Sequence, residues 1–312
     1  MNQKKGTGVA YTYFMLMAAM LCWGLSFVWY KQALEVFPPV TLVLARLLLS
    51  LPLLFISALL LKRLKKIQRA DFPLFLLLAF LEPFLYFIGE SLGMQYVSST
   101  VAAIVISTIP LFMAIVMLVN KKETLYLLNY LGILVSFIGV VFVVISDREN
   151  MVATHKGILL MMISVFAAVG YGFAIKKAAE KYNSLTIVTT QNFLGAIYFI
   201  PVFLIFEQQK VATISWDIHK FMPLFYLAIF ASTFAYLGYI QGVRKLGVSK
   251  ATVFANFIPV FTAIFALIIL GDSINLLKIA GIILVVSGLI LSQAGKMHQE
   301  SKPEDEILNE LY

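Results

Sequence analysis

The chain has 312 residues, of which 61% are hydrophobic and only 13% are charged, and its formal net charge is +8. A soluble globular domain is nearer half apolar and a quarter charged, so this composition argues against an ordinary soluble protein. Lys and Arg stand in short clusters between apolar runs, a pattern typical of membrane topology rather than of nucleic-acid binding. The single cysteine, Cys22, excludes a disulfide framework and a cysteine-based metal site within one chain.

Apolar runs follow one another along the chain, and each is near the roughly 20 residues that a bilayer-spanning helix needs. We expect ten transmembrane helices, over residues 11–30, 40–61, 72–93, 99–119, 125–145, 157–175, 185–206, 221–242, 249–270 and 275–294. The termini and the breaks after even-numbered spans hold roughly three times as many Lys and Arg as the opposite side, and cytoplasmic loops are enriched in these residues. The pattern therefore predicts that both termini are cytoplasmic.

Apart from Lys250 and Lys278, in the first turns of spans nine and ten, the acidic and basic side chains inside the predicted spans are Arg46, Glu82 and Glu90. Such groups are costly in a bilayer and usually face a cavity or a partner. Arg46 and Glu90 differ in depth by only about 5 Å at the rise of an α-helix, so an ion pair between them is geometrically possible. Glu82, Tyr86 and Glu90 are spaced i, i+4 and i+8, which predicts one stripe down a single helix face.

Two interpretations of this stripe remain open. In the first, it lines a central cavity, and Glu82 holds a proton that it releases when the cavity opens, so that transport is coupled to protons. In the second, Glu82 is a neutral acid that is hydrogen-bonded to a neighbouring helix and serves packing alone. Pro83 follows it and should leave a backbone carbonyl nearby without its helical partner.

An internal repeat appears when the sequence is compared with itself after a shift of 149 residues. The shift aligns a proline, an acidic residue and two glycines of the first half with those of the second: Pro110 with Pro259, Glu123 with Asp272, Gly132 with Gly281 and Gly139 with Gly288. Each half holds an odd number of spans, so the second copy must enter the membrane from the opposite side. This predicts an all-α membrane fold of two inverted five-helix repeats, over residues 1–150 and 151–295, followed by a polar cytoplasmic tail over 296–312.

Further polar and aromatic candidates fall at related positions of the two halves. The shift relates Ser107 to Asn256 and Glu90 to Tyr239, and a slightly different offset places Arg46 near Gln191 and Asn192. Four aromatic residues could form the walls of a substrate cavity or, alternatively, serve as interfacial anchors: Trp23, Tyr86, Tyr171 and Tyr236.

Pro110 and Pro259 lie mid-span at equivalent positions, where each is expected to bend its helix. The bend is either a fixed kink or a hinge that faces the substrate. The paired glycines lie seven residues apart, which allows close helix contact. We expect that contact within a monomer, with a weak homodimer as the alternative.

These residues together resemble the EamA-type transporters of the drug/metabolite transporter superfamily. The elements that carry the resemblance are Trp23-Gly24, Phe27, Arg46, Pro110, Glu123 and Gly132, with Pro259, Gly271-Asp272 and Gly281 in the second half. The family's usual Gly-Glu pair is replaced here by Lys122-Glu123 and by Gly271-Asp272. The resemblance implies ten helices in two similar halves and the export of amino acids, other metabolites or drugs. More distant relatives exchange nucleotide sugars or phosphorylated sugars.

The expected function is secondary active transport of a small metabolite by alternating access, most simply the export of an amino acid or a related amphipathic compound. A metabolite antiporter, a channel or a transport-inactive receptor are the alternatives. The sequence lacks a GxxxxGK phosphate loop and a spanning HExxH, so we expect neither direct ATP drive nor an enzyme, and no cofactor or metal. We expect a bacterial inner (plasma) membrane location, with lipid and the substrate as partners, and with protons as a further partner if transport is coupled to them.

Overall fold

The structure is a computed structural model that describes residues 3–119, 127–146, 151–214, 218–272 and 275–300. Within these ranges the chain forms helices and turns but no strands. Glu123 and the end of the predicted tail, over 301–312, lie outside the described residues. Ten helices, named α1 to α10, correspond to the ten predicted spans, which confirms the predicted all-α membrane fold.

Six of the ten helices are continuous. They are α1 (Gln3–Leu34), α2 (Pro39–Leu60), α5 (Leu127–Ser146), α6 (Met151–Lys181), α7 (Ser184–Phe206) and α10 (Leu276–Glu300).

The other four helices are interrupted, and they come in two equivalent pairs. Helix α3 joins Phe72–Ala79 to Tyr86–Gly93 through a π-helical segment, Phe80–Leu85, and α8 joins Ile218–Tyr226 to Tyr236–Leu246 through another, Leu227–Ala235. Helix α4 consists of Ser99–Ser107 and Ile109–Val119, and α9 of Val248–Val253, Phe254–Phe257, Ile258–Phe265 and Ala266–Leu270.

The lengths and outer surfaces of the helices agree with a protein that lies in a bilayer. Six are long and apolar enough to cross a membrane, and four shorter apolar helices complete the set of ten among the described residues. Large apolar side chains remain exposed on their outer faces, including Leu59 at 66% and Ile205 at 73%. An apolar surface of this extent is unfavourable in water but suits contact with lipid.

Proline explains three of the four interruptions. In α3, Glu82 has extended backbone angles (φ −148°, ψ 114°) and precedes Pro83 through a cis peptide bond. In α4 and α9 a new helical segment begins one residue before Pro110 and Pro259, because proline lacks the amide that a continuing helix would use. The π segment of α8 contains no proline.

Helix contacts are symmetric with respect to the two halves. Helix α1 packs against α8 and α9, and its counterpart α6 packs against α3 and α4. Helix α2 packs against its own counterpart α7, and α5 against α10. Exchanging the two halves leaves this pattern unchanged, as two copies of one five-helix repeat require.

The predicted glycine packing is confirmed between α5 and α10. A Cβ atom added to Gly139 would lie 2.6 Å from the backbone nitrogen of Val285 and 2.7 Å from the carbonyl oxygen of Gly281. One added to Gly288 would lie 2.7 Å from the carbonyl oxygen of Gly132. These distances leave no room for a larger residue, so the glycines allow the backbones of α5 and α10 to touch.

Candidate functional site

A cavity lies between the two halves and is lined by helices from both. Its volume, counted as the space open to the centre of a water molecule, is about 80 Å³, several times the roughly 10–15 Å³ that one water requires. The polar and aromatic lining residues are Trp23, Ser26, Phe27, Arg46, Glu82, Tyr86, Phe87, Glu90, Tyr171, Tyr236, Tyr239 and Thr252. A small polar solute therefore has both room and partners at this site.

Arg46 and Glu90 form a buried ion pair on one side of the cavity. The Arg46 Nη1 atom lies 3.8 Å from the Glu90 Oε2 atom, and both residues are less than a tenth exposed. The guanidinium also lies 4.1 Å from the ring centre of Phe87, and its Nε donates a 2.9 Å hydrogen bond to the hydroxyl of Ser232. The ion pair that was geometrically possible from the sequence is therefore confirmed.

Glu82 lies at the interruption of α3, where its two polar groups meet the second half. The hydroxyl of Tyr236 donates a short hydrogen bond to the Glu82 carboxylate. The backbone carbonyl of Glu82 accepts a 2.9 Å bond from Nε2 of Gln191, and Tyr171 in turn donates to Oε1 of Gln191 at 3.2 Å. This carbonyl belongs to the peptide bond between Glu82 and Pro83, so it differs from the carbonyl four residues before Pro83, which loses its helical partner when proline interrupts a helix.

The expected stripe on a single helix face needs correction. Glu82 lies in extended backbone, so it is not on one continuous helix with Tyr86 and Glu90. All three nevertheless line the cavity, and Tyr86 donates a 3.3 Å hydrogen bond to Glu90. The i+4 spacing holds only for the part of α3 that follows the break, because Pro83 ends the regular helix before it.

The four aromatic candidates all line the cavity. Trp23 contacts Tyr236 edge-on, with ring centres 5.3 Å apart, and lies at the same distance from Tyr239. Tyr86, Tyr171 and Tyr236 are buried. An anchoring role at the membrane surface is therefore wrong for these three tyrosines, and the rings form an aromatic wall across both halves.

Several predicted site residues do not reach the cavity. Ser107 points its hydroxyl at the carbonyl of Ile104 in its own helix, at 2.8 Å. The cavity is instead lined from α4 by Ile106, Ile109 and Met113. Ser107 is turned about 100° from Ile106 around the helix axis. Asn256 is also buried outside the cavity, and its side-chain atoms have no hydrogen-bond partner among the described residues.

Gln191 and Asn192 lie outside the cavity and form hydrogen bonds with residues of the site and of neighbouring helices. Gln191 holds the Glu82 carbonyl, whereas Asn192 donates to the hydroxyl of Ser50 at 2.9 Å and to the carbonyl of Ser232 at 3.3 Å. Neither lines the cavity, and neither do Pro110 and Pro259. The two prolines act next to it, since Ile109 and Ile258, the residues before them, are lining residues.

Sequence reasoning did not assign Ser26, Phe27, Phe87 and Thr252 to the site. Phe87 follows Tyr86, and its contact with Arg46 depends on how α2 packs against α3. Thr252 lies 3.4 Å from the hydroxyl of Tyr239. The 149-residue shift relates Thr252 to Ala103. Because alanine has no polar group, the repeat gave no sign that Thr252 belongs to the site.

The charges of the lining are unequal in number. Among the described lining residues Arg46 is the one cation, while Glu82 and Glu90 are both carboxylates. The cavity therefore offers one group for an anion and two for a cation, surrounded by aromatic rings.

Comparison with known proteins gives a consistent result over both halves. Residues 10–145 and 155–293 each match the EamA-like transporter family. An uncharacterized transporter of Archaeoglobus fulgidus is 30% identical over 86% of this chain and 94% of its own length. The uncharacterized transporter YyaM of Bacillus subtilis is 25% identical over 89% of this chain and 92% of its own.

A solved crystal structure shares the fold, with a TM-score of 0.69 at 15% identity over 94% of this chain and 99% of the solved one. The expected resemblance is thus confirmed, with the family's domain present twice. This chain belongs to the EamA-like transporter family and is an integral membrane transporter.

Proposed function

We propose that this protein is a secondary active transporter that works by alternating access and exports an amino acid or a related amphipathic compound. The observation that carries the proposal is the cavity between the two halves, in which Arg46 and two carboxylates are set among aromatic rings.

The lining suits a zwitterion. Arg46 would bind the substrate carboxylate, because its 3.8 Å distance to Glu90 is longer than a direct N–H···O hydrogen bond and leaves guanidinium donors for a ligand. Glu82 would bind the ammonium group, beside the rings of Trp23 and Tyr236. The same rings would cover the apolar part of the substrate.

The interrupted helices supply the means of movement. Helix breaks in α3, α4 and α9 each place a lining residue beside the cavity: Glu82, Ile109 and Ile258. In inverted-repeat carriers such discontinuous helices meet at the substrate site, and one half rocks against the other. Pro110 and Pro259 would then act as hinges rather than as fixed kinks.

The driving force in this proposal is a proton gradient acting through Glu82. The Glu82 carboxylate would bind the substrate ammonium in one conformation and a proton in the other. Each transport cycle would then exchange a substrate molecule for a proton. The contrasting interpretation is that Glu82, bonded to Tyr236, only joins the two halves. With both termini in the cytoplasm of a bacterial cell, export would run from the side on which α2 ends and α7 begins.

The alternatives differ in what they require of the cavity. A nucleotide-sugar or sugar-phosphate antiporter must hold at least two negative charges, yet the lining offers two carboxylates and one arginine. A channel or a transport-inactive receptor would not need the paired helix breaks. Measuring flux separates the antiporter from the amino-acid exporter, and absence of any flux would favour the transport-inactive receptor.

The test is uptake of a labelled metabolite panel into proteoliposomes, with and without a pH gradient, for the native chain and for Glu82→Gln. Glu180→Gln is the matched control, since Glu180 is exposed at the end of α6. We expect gradient-driven amino-acid flux that is lost in Glu82→Gln and retained in Glu180→Gln. Flux that ignores the gradient and survives in Glu82→Gln would contradict proton coupling, and exchange of phosphorylated sugars alone would favour the antiporter.

A further inference from the structure

A second cavity lies at one end of the helix bundle, separate from the central one. It is bounded by Tyr11, Met15, Arg63, Asn183, Ser184, Leu185, Leu237, Gln241 and Arg244. Its volume, counted as the space open to the centre of a water molecule, is about 220 Å³. It shares no lining residue with the central cavity, so a ligand here would not occupy the substrate site.

Topology places this cavity at a membrane face. Helices α2 and α8 end near it and α7 begins there, so it lies at the headgroup depth of the bilayer. Leu237, Gln241 and Arg244 are spaced on one face of α8. Tyr236 and Tyr239, which line the central cavity, are on a different face of the same helix.

Two arginines give the second cavity a positive charge. Arg244 donates from Nε to the carbonyl of Ala179 at 3.2 Å and from Nη1 to Gln241 at 3.4 Å. These two bonds leave further guanidinium donors open. Arg63 is held by its backbone carbonyl, which accepts a 2.6 Å bond from Asn183 and a 3.2 Å bond from Thr186. No acidic residue is among the described lining residues.

The N-terminus of α7 adds to the positive charge of this cavity. Ser184 and Leu185 belong to the first turn of a 23-residue helix, whose leading amides have no partner within the helix and carry the positive end of its dipole. Asn183 caps this turn by accepting from the Thr186 amide at 2.9 Å. Arginine side chains beside a helix N-terminus form a site for phosphate.

Apolar side chains make up the rest of the wall. Met15, Leu185 and Leu237 line the cavity beside Tyr11, which is 58% exposed on the outer surface of α1. Phe14 is 68% exposed nearby on the same helix. A free phosphate ion would make no favourable contact with this apolar surface, whereas the acyl chains of a phospholipid would pack against it.

We propose that this cavity binds the phosphate headgroup of an anionic phospholipid between α1, α7 and α8. Basic pockets between transmembrane helices are suited to such headgroups. Arg63 and Arg244 hold the phosphate, and the chains of the lipid lie along the exposed apolar face of α1. The bound lipid joins α1 to α7 and α8, so it would stabilise the contact between the two halves on that face.

The experiment measures lipid binding to the purified, delipidated full chain by native mass spectrometry and by thermal unfolding. The probes are phosphatidylglycerol, phosphatidylcholine and glycerol phosphate without chains. The double variant Arg63→Gln/Arg244→Gln is compared with Lys66→Gln/Lys245→Gln, which removes the same charge from exposed residues outside the cavity. Arg63→Lys/Arg244→Lys retains the charge and reports whether the arginine positions tolerate substitution.

We expect phosphatidylglycerol to bind the native chain and raise its unfolding temperature, and phosphatidylcholine to do so weakly. Loss of the two arginines should weaken phosphatidylglycerol binding about thirtyfold, because each basic residue near a membrane surface contributes about fivefold to binding. The exposed-lysine control should lose much less, and the Arg-to-Lys variant should retain most of the binding. Equal losses in the arginine variant and its control, or no binding to the native chain, would overturn the proposal. Equal binding of chain-free glycerol phosphate would overturn its assignment to a lipid.

Discussion

The two halves of the protein share a backbone design but not a chemistry. Helices α3 and α8 are both interrupted by a π-helical segment, and α4 and α9 both restart before a proline. Among the described lining residues, however, the charged side chains of the cavity all come from the first half, as Arg46, Glu82 and Glu90. The second half contributes hydroxyl groups and aromatic rings to the cavity instead.

One pair of equivalent positions shows this difference directly. The 149-residue shift relates Glu90, which is paired with Arg46, to Tyr239, which lies near Thr252. Both residues line the same cavity. We infer that the repeated backbone provides the movement, while the unequal side chains orient the substrate and select its charge.

The largest loss of stability is expected from breaking the ion pair of the first half. Arg46→Gln leaves Glu90 buried without its cation and removes the bond to Ser232. Removing one partner of a buried pair costs about 3–5 kcal/mol, so unfolding in detergent should occur at a markedly lower temperature or denaturant concentration. Glu90→Gln should cause a loss of similar size.

A double variant sharpens this prediction. Arg46→Gln/Glu90→Gln removes both charges, so its loss of stability should be clearly smaller than the sum of the two single losses. The exposed Arg69 serves as a control, because Arg69→Gln should change stability little. Additive losses in the double variant would contradict the ion pair.

The second prediction concerns the scaffold, where the halves should behave alike. Gly139→Ala and Gly288→Ala each place a Cβ atom within 2.7 Å of a backbone carbonyl of the partner helix. Such overpacking costs about 1–3 kcal/mol, and the two variants should lose similar amounts in an unfolding titration.

Gly170→Ala is the matched control for the scaffold. Its added Cβ would lie 3.4 Å from a methyl group of Leu81, a distance of ordinary contact, so little change is expected. If Gly139→Ala were as stable as Gly170→Ala, then α5 and α10 would not be in contact through their glycines.

The smallest loss of stability is expected from changing Tyr239, the residue of the second half that corresponds to Glu90. Tyr239→Phe removes a 3.4 Å contact with Thr252, and hydrogen bonds within membrane proteins contribute about 0.6 kcal/mol on average. Unfolding should shift slightly, and adding Thr252→Val should produce little further loss. A loss as large as that of Glu90→Gln would show that the two halves contribute equally to the cavity.

The sequence was sufficient for much of this architecture. Hydropathy and charge predict ten spans, and the Pro110/Pro259 and glycine repeats predict two related halves. Arg46 and Glu90 could be paired by depth alone. These inferences succeed because membrane insertion forces polar backbone into helices and makes buried ions rare.

Other features depend on tertiary packing and carry no local signal. The π segment of α8 holds no proline, so nothing in its sequence marks the interruption. Ser107 and Asn256 were expected in the cavity but are turned away from it, since helix rotation is set by neighbouring helices. Gln191 was placed in the cavity, whereas it bonds the carbonyl that the break at Glu82 exposes.

The measurement that tests alternating access most directly is one-sided labelling of a cavity cysteine. In a Cys22→Ala background, Ser26→Cys places a thiol in the cavity lining and Ser107→Cys places one outside it. A membrane-impermeant thiol reagent is applied from either side, with and without substrate. We predict that Ser26→Cys reacts from both sides, that substrate or a pH gradient raises one rate while lowering the other, and that Ser107→Cys does not react. Rates that rise and fall together would indicate a channel, and a Ser26→Cys thiol that reacts from neither side would contradict the account.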